Sequence, residues 1–484
     1  MRGASVISYF LAGAIPRLAM FVILFLLARW LTIEETGLFV LVMTVGEILE
    51  MISANWLRLF AQSREAGQSR LRPLRLGRLA VMGVAMYGLA AASVLPAAII
   101  VAPGRVWDFT LATLVYVTAF ALLRLVLVIQ QITHNHALFS HIELVRGVLV
   151  LVSVVAAARL PGATFFGPAL ALGLSSLVVA VVGLVASRAQ VSRPRIVWKG
   201  FGTARRFGAP IIADTILSFV IIYFERFVLN EMLGPASVGV YAIAYALGRQ
   251  PVDFIAGPMN NLTVPTLFAV RLREGDEAAR TMQSGFSITL FILCAGAFTG
   301  TLLLRQPIAA LFVKPELQAD TARLVPMIAL AACLVVFKTF LYDNLFFMLG
   351  RNGLKLRSIV PAAVGGAVAS IGLVAAFGLT GAALAAVAAT AMALCASIIA
   401  TRTFFRFPLP LARFGGIAVA AGLSGLALWG ATSAVAAFGP LAELLAGFVA
   451  FCLTYAAGLT VQGISVRRIL STPWAPLTPA PPSA

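Results

Sequence analysis

FGAPIIADTILSFVIIYFERFVLNEMLGPASVGVYAIAYALGR, residues 207–249, holds one apolar run at 207–230 and the start of a second that continues to residue 258, separated by the turn signal Leu233-Gly234-Pro235. A hydrocarbon layer about 30 Å thick is crossed by roughly 20 residues of helix. Each run fits that length, and neither shows the every-second-residue alternation of a barrel strand. Yet Asp214, Glu225, Arg226 and Arg249 lie inside them. A charge at membrane depth costs at least about 2.5–3.5 kcal/mol, so these four residues are expected to face protein or a wet cavity.

The rest of the chain repeats the pattern. It has 484 residues, 61% apolar and 11% charged, with a mean hydropathy of +0.99. Soluble domains carry about a quarter charged residues. The fold class expected is therefore all-α and integral to the membrane. Fourteen spans are expected, at 5–28, 37–56, 79–101, 109–131, 144–158, 166–187, 207–230, 238–258, 284–304, 324–347, 358–377, 381–401, 413–433 and 441–461. The stretch from Ser5 to Leu27 is long, carries Arg17 and lacks a small-residue cleavage site, so it reads as the first span.

Thirty-two Arg and four Lys give a net charge of +18. With the N-terminus inside, 25 of these cations fall on inner loops and six on outer ones: Arg29, Arg105, Arg159, Arg305, Lys314 and Arg323. The positive-inside rule then places both termini in the cytoplasm. Five cations remain at depth: Arg17, Arg124, Arg226, Arg249 and Lys338.

The same reading excludes several classes. The basic charge marks topology, and no aromatic–basic platform for nucleic acid accompanies it. Cys294, Cys333, Cys395 and Cys452 lie in apolar runs with no CxxC spacing and read as packing residues. His134, His136 and His141 in THNHALFSH have only Glu143 beside them, too few ligands for a metal site. No phosphate-binding glycine loop or nucleophile triad appears. The chain reads as a transporter with no cofactor and no catalytic residues.

An internal repeat is visible. TGLFVLVMTVGE (36–47) matches VGVYAIAYALGR (238–249), pairing Gly37 with Gly239, Phe39 with Tyr241 and Gly46 with Gly248. Arg124 and Lys338 correspond in spans four and ten, and GATFFGPAL (162–170) resembles GLTGAAL (378–384). Two six-helix lobes of like orientation follow, an N-terminal lobe at 1–187 and a C-terminal lobe at 207–401. A basic cytoplasmic linker at 188–206 joins them. Two extra spans occupy 402–461, and a proline-rich tail at 462–484 is expected to be disordered.

The charges at depth form stripes. Asp214 and Glu225 are about three helical turns apart, with Ser218 between them. Tyr241, Tyr245, Arg249 and Asp253 recur every four residues. Thr44, Glu47 and Glu50 recur every three, and span ten carries Lys338, Tyr342, Asp343 and Asn344. These stripes are expected to line one polar chamber. Interfacial snorkelling of Arg226 and a structural pair of Arg249 with Asp253 are the bland alternatives.

At these residues the chain resembles the polysaccharide-transport, Wzx-type flippases of the MOP superfamily. The resemblance is carried by Arg206-Phe207-Gly208-Ala209-Pro210, Glu225-Arg226, Leu233-Gly234, Val238-Gly239-Val240-Tyr241 and, in the first lobe, Glu35-Thr36-Gly37-Leu38-Phe39; Glu225 stands where Asp is more usual. It implies a bacterial inner-membrane exporter that flips an undecaprenyl-pyrophosphate-linked oligosaccharide by alternating access, driven by H⁺, Na⁺ or the membrane potential. Arg17, Arg124, Arg226, Arg249 and Lys338 would then grip pyrophosphate, with Tyr241 and Tyr245 stacking on sugars. Glu47, Asp214, Glu225 and Asp253 would balance charge or carry the coupling ion. A polysaccharide polymerase is the expected partner and a monomer the expected state. A cation-coupled MATE-type drug antiporter remains open, because the acids at depth outnumber the cations by one, and a lipid II flippase is the third alternative.

Overall fold

The computed structural model describes residues 3–59, 77–133, 135–188, 201–475 and 477. These residues are almost wholly helical, and the only strand-like pairing among them is an isolated bridge between Ile464 and Leu477. The helices, in chain order, are α1 (Gly3–Trp30), α2 (Ile33–Glu50), α3 (Gly77–Val101), α4 (Val106–Ile132), α5 (His136–Ala158), α6 (Phe166–Ala186), α7 (Phe201–Leu233), α8 (Pro235–Leu303), α9 (Arg305–Phe312), α10 (Gln318–Val336), α11 (Asn344–Met348), α12 (Asn352–Thr401), α13 (Leu411–Val435), α14 (Pro440–Val461) and α15 (Val466–Ser471).

Two of these are doubled. α8 has a break at Gly275 (φ 91°) and α12 at Gly378 (φ 56°), both left-handed positions that glycine alone adopts readily. Counting each arm separately recovers the spans expected from hydropathy. Two more helices widen into π turns: Met51–Asn55 extends α2, and Phe337–Asp343 joins α10 to α11.

The chain divides by packing into two compact units, Met1–Ala242 and Ile243–Ala484. The expected linker, 188–206, lies largely outside the described residues, and α7 begins already at Phe201. In the first unit α2 packs on α4, α4 on α6, and α1 on α5. In the second, α10 packs on α12, α9 on α10, and α13 on α14. Small residues sit where helices touch: a Cβ on Gly447 would meet Thr432 at 2.7 Å, and one on Gly458 would meet Ala420 at 3.1 Å. Apolar side chains such as Leu426, Trp429 and Leu453 stay exposed instead, as lipid-facing residues do.

The repeat glycines explain their own conservation of size within the chain. A Cβ on Gly37 would lie 1.8 Å from the Pro235 carbonyl oxygen, and one on Gly239 would lie 2.4 Å from the Ile33 carbonyl oxygen. The first turns of α2 and α8 therefore cross backbone to backbone at this matched pair. Gly46 packs α2 against Tyr116 of α4, and Gly248 packs α8 against Val325 and Ala329 of α10. Each unit thus uses its second matched glycine for an equivalent contact.

Two expectations need correction. The fifth span starts at His136, not at 144, because Asn135 caps it by accepting from the Leu138 N–H (3.2 Å). His141 is consequently a helical residue on an exposed face, with its Nδ1 2.7 Å from the Ala137 carbonyl oxygen. The described part of the tail is also structured, beginning with α15. Arg468 donates to the Leu477 carbonyl (2.7 Å), Thr289 donates to the Pro473 carbonyl (2.6 Å), and Trp474 packs into the core of the second unit. Proline forbids long helix there but leaves its carbonyls free to accept these bonds.

Candidate functional site

In the first unit a polar cluster forms at the end of α2. Glu47 and Glu50 lie one turn apart and both face α4, where Arg124 meets them. One Arg124 nitrogen donates to both Glu47 oxygens at 2.7 Å, and the other donates to Glu50. Glu50 is fully buried and also accepts from Arg58, past the π turn. Tyr116 of α4 donates to Glu47 (3.1 Å). A buried carboxylate is tolerable only when its lone pairs are filled, and Glu50 is held by two guanidiniums.

On the facing part of α7, Glu225 and Arg226 are both buried and are held by different partners. Tyr241 of α8, itself fully buried, donates its hydroxyl to Glu225 (3.2 Å). Arg226 donates to the Thr44 hydroxyl (3.1 Å) and stacks over the Tyr223 ring at 4.7 Å. Thr44 in turn donates to the Val40 carbonyl, so its lone pairs face the guanidinium. The stripe Thr44–Glu47–Glu50 is thus one polar face of α2, shared by α4 and α7. Asp214, further back on α7, is half-buried, and Arg17 on α1 is exposed.

Near the opposite end of α2 the turns are clipped together. Arg105 pairs with Asp108 (2.9 Å) and Glu35 (3.3 Å) and lies over the Phe165 ring, while Glu35 accepts the Phe165 N–H (2.6 Å). The hydrogen bond to Asp108 raises the Arg105 pKa further above its ordinary value, against a lesser desolvation.

The second unit holds its own cluster. Arg249 of α8 pairs with Asp253 (2.8 Å) and donates to the Tyr245 hydroxyl, all at helical spacing. Lys338 pairs with Asp343 (2.5 Å), five residues later. On a regular α-helix residues i and i+5 point about 140° apart. The π turn Phe337–Asp343 brings them into line, and its displaced Leu341 carbonyl is satisfied by buried Gln283 (2.7 Å). Lys355, at the start of α12, lies 3.7 Å from the same carboxylate, and Ser397 donates to its second oxygen (3.2 Å).

Of the residues singled out from sequence, Glu47 and Arg124 meet directly in the first unit, and Glu225 and Tyr241 do so as well. Arg249, Asp253 and Tyr245 meet in the second. Sequence reading missed Arg58, Glu35 and Lys355. All three lie just outside the expected spans, where the cations Arg58 and Lys355 read as topology signals and Glu35 reads only as part of the resemblance motif. Among the described residues no group of three His, Cys, Asp or Glu side chains could hold a metal, and the four cysteines are free.

These elements define a multi-pass helical membrane protein with the fold of the MOP superfamily. The structure is similar to that of the lipid II flippase MurJ in an inward closed conformation, with a TM-score of 0.73, 94% of this chain and 99% of that chain covered, and 12% identity. It is also similar to a MOP superfamily transporter from Pyrococcus furiosus (TM-score 0.56, 82% and 93% covered, 13% identity) and to the Vibrio cholerae MATE transporter VcmN (0.53, 83% and 96% covered, 13% identity). By sequence, residues 3–271 match the polysaccharide biosynthesis protein family, and the chain belongs to that family. No curated protein matches it by sequence.

Proposed function

We propose that the chain is a flippase that moves an undecaprenyl-pyrophosphate-linked oligosaccharide across the bacterial inner membrane for surface polysaccharide synthesis, by alternating access. The observation that carries this reading is the membership of the polysaccharide biosynthesis family across residues 3–271. The buried cations support it. Pyrophosphate must cross hydrocarbon, and Arg offers planar paired donors that stay charged. Arg226 and Lys338 are both buried in spanning helices, and Arg124 is half-buried. We assign substrate contact to Arg17, Arg124, Arg226, Arg249 and Lys338, and charge balance or ion coupling to Glu47, Asp214, Glu225 and Asp253. Tyr241 holds Glu225 in this state, while Tyr245 remains partly exposed beside Arg249. H⁺ or Na⁺ coupling, a polymerase partner, cytoplasmic termini and a monomeric state belong to the same proposal.

Deletion of the gene in its host tests it. Loss of surface polysaccharide, with lipid-linked repeat units accumulating on the cytoplasmic side, is the expected result. The second reading is flipping of lipid II, favoured over drug export by the similarity to MurJ at a TM-score of 0.73 against 0.53 for VcmN. Rescue of a cell depleted of its lipid II flippase would select that reading, and drug sensitivity without a glycan defect would select the antiporter.

A further inference from the structure

The proposed function leaves one arrangement unused. Lys338 and Lys355 come from different elements of the second unit, the π turn and the start of α12, yet both ammonium groups address the same oxygen of Asp343, at 2.5 and 3.7 Å. Ser397, from the second arm of α12, donates to the other oxygen at 3.2 Å. Lys338, Asp343 and Lys355 are all buried, and their three charges sum to one positive. Two ammoniums around one small anion are also a donor set that a phosphate group takes, while Ser397 serves only to hold the carboxylate in place.

We propose that Asp343 is the resting occupant of an anion site, and that a phosphate or pyrophosphate group displaces its carboxylate from Lys338 and Lys355. This rests on the reading of the substrate as a pyrophosphate-linked lipid and identifies where one phosphate of that headgroup docks. A phosphate carries more charge and more acceptor oxygens than one carboxylate, so it engages both ammoniums more fully. Lysine suits exchange because it is a point charge on a flexible stem, whereas the planar guanidinium fork holds one fixed geometry. The backbone supplies the means of release. Asp343 faces Lys338 only through the π turn, and relaxation of that turn to α-helical register leaves the carboxylate about 140° around the helix from Lys338. Binding of the headgroup and straightening of the helix are then one event.

The test uses the full chain purified in detergent, titrated with farnesyl pyrophosphate, inorganic pyrophosphate and, as uncharged control, farnesol. Asp343→Asn removes the competing anion and should bind farnesyl pyrophosphate about tenfold or more tightly than the wild type, with its unfolding midpoint rising on addition of ligand. Ser397→Ala, which loosens the carboxylate and keeps every charge, should gain roughly threefold. Adding Lys355→Gln to either variant should abolish the gain. An unchanged or weakened affinity in both Asp343→Asn and Ser397→Ala overturns the exchange, as does a gain that survives Lys355→Gln. If Asp343→Asn does not fold, the Ser397→Ala pair decides. A gain confined to farnesyl pyrophosphate supports the lipid headgroup, and an equal gain with inorganic pyrophosphate overturns that source in favour of soluble phosphate. Failure of binding in a chain whose deletion still blocks glycan export rejects the exchange alone. Binding in a chain whose deletion leaves glycans intact rejects the flippase reading alone.

Discussion

The charged clusters of the two units solve the same problem differently. In the first, Glu47 and Glu50 face Arg58 and Arg124, two acids against two guanidiniums, and Arg124 is gripped by three carboxylate oxygens. In the second, a single carboxylate serves two lysines. Each cluster adjoins a π turn, which places side chains at spacings that a regular helix does not align. The difference lies in the cations. A guanidinium saturated by paired acceptors is a lock, while ammoniums sharing one acceptor can trade it. The first cluster therefore holds its cations fast in this state, so that Arg124 reaches a substrate only when Glu47 and Glu50 release it, and the second reads as the place where an anion is exchanged.

That contrast is most exposed to Glu50→Ala. The substitution takes from Arg58 its carboxylate and leaves Arg124 with Glu47 alone, beside a cavity, and removing one member of a buried charge cluster costs about 3–5 kcal/mol. Thermal unfolding in detergent should show a large fall in midpoint and poor accumulation of folded protein. A variant that melts like the wild type would mean that the first cluster is not a lock. Arg124→Lys comes next. Lysine keeps the charge but cannot span Glu47 and Glu50 together, so a loss of about 1.5–3 kcal/mol is expected, the worth of one charge-assisted hydrogen bond. The same assay reads it, and a neutral result would make the guanidinium geometry irrelevant.

The fold was legible because hydrocarbon thickness sets a length that sequence displays directly. The spans follow from it, while the glycine repeat was legible from the match of 36–47 with 238–249. What packing decides was less legible. Glu225 and Arg226 are visible as neighbours in sequence, but Tyr241 and Thr44, which hold them, lie 16 and 182 residues away. Lys338 and Asp343 are both visible in span ten, yet their pairing depends on a π turn that hydropathy does not signal. Lys355 and Arg58 were hidden by the rule that placed the topology, since a cation near a span end counts as a loop charge until packing buries it. The described part of the tail was misjudged because its proline-rich composition does not record that Thr289 and Arg468 bond its carbonyls.

The glycine crossing gives a smaller effect. Gly37→Ala places a methyl 1.8 Å from the Pro235 carbonyl oxygen, a backbone atom that cannot move aside cheaply. Overpacking of this kind costs about 1–3 kcal/mol. Gly88→Ala, on an exposed stretch of α3 with nothing within 4 Å, should instead be neutral or stabilising by about 0.5–1 kcal/mol, because it removes backbone entropy from the unfolded chain. Equal midpoints for the two variants would show that α2 and α8 do not meet at the matched pair.

The smallest effect belongs to the clip between turns. Arg105→Ala removes a partly exposed ion pair, for which about 0.2–1 kcal/mol is the usual range, and leaves the Phe165 N–H bonded to Glu35. The pH dependence of that loss follows from the sign of the Arg105 shift. Its pKa is raised in the folded state by Asp108, so the stabilisation is fully present below the unfolded value and disappears only as pH climbs through the still higher folded value. Between about pH 6 and 9 arginine is charged in both states, and the difference between variant and wild type should stay flat. Unfolding midpoints measured across that window check it. A difference that fades toward pH 9 would mean that a neighbouring group, and not the Arg105 guanidinium, supplies the clip.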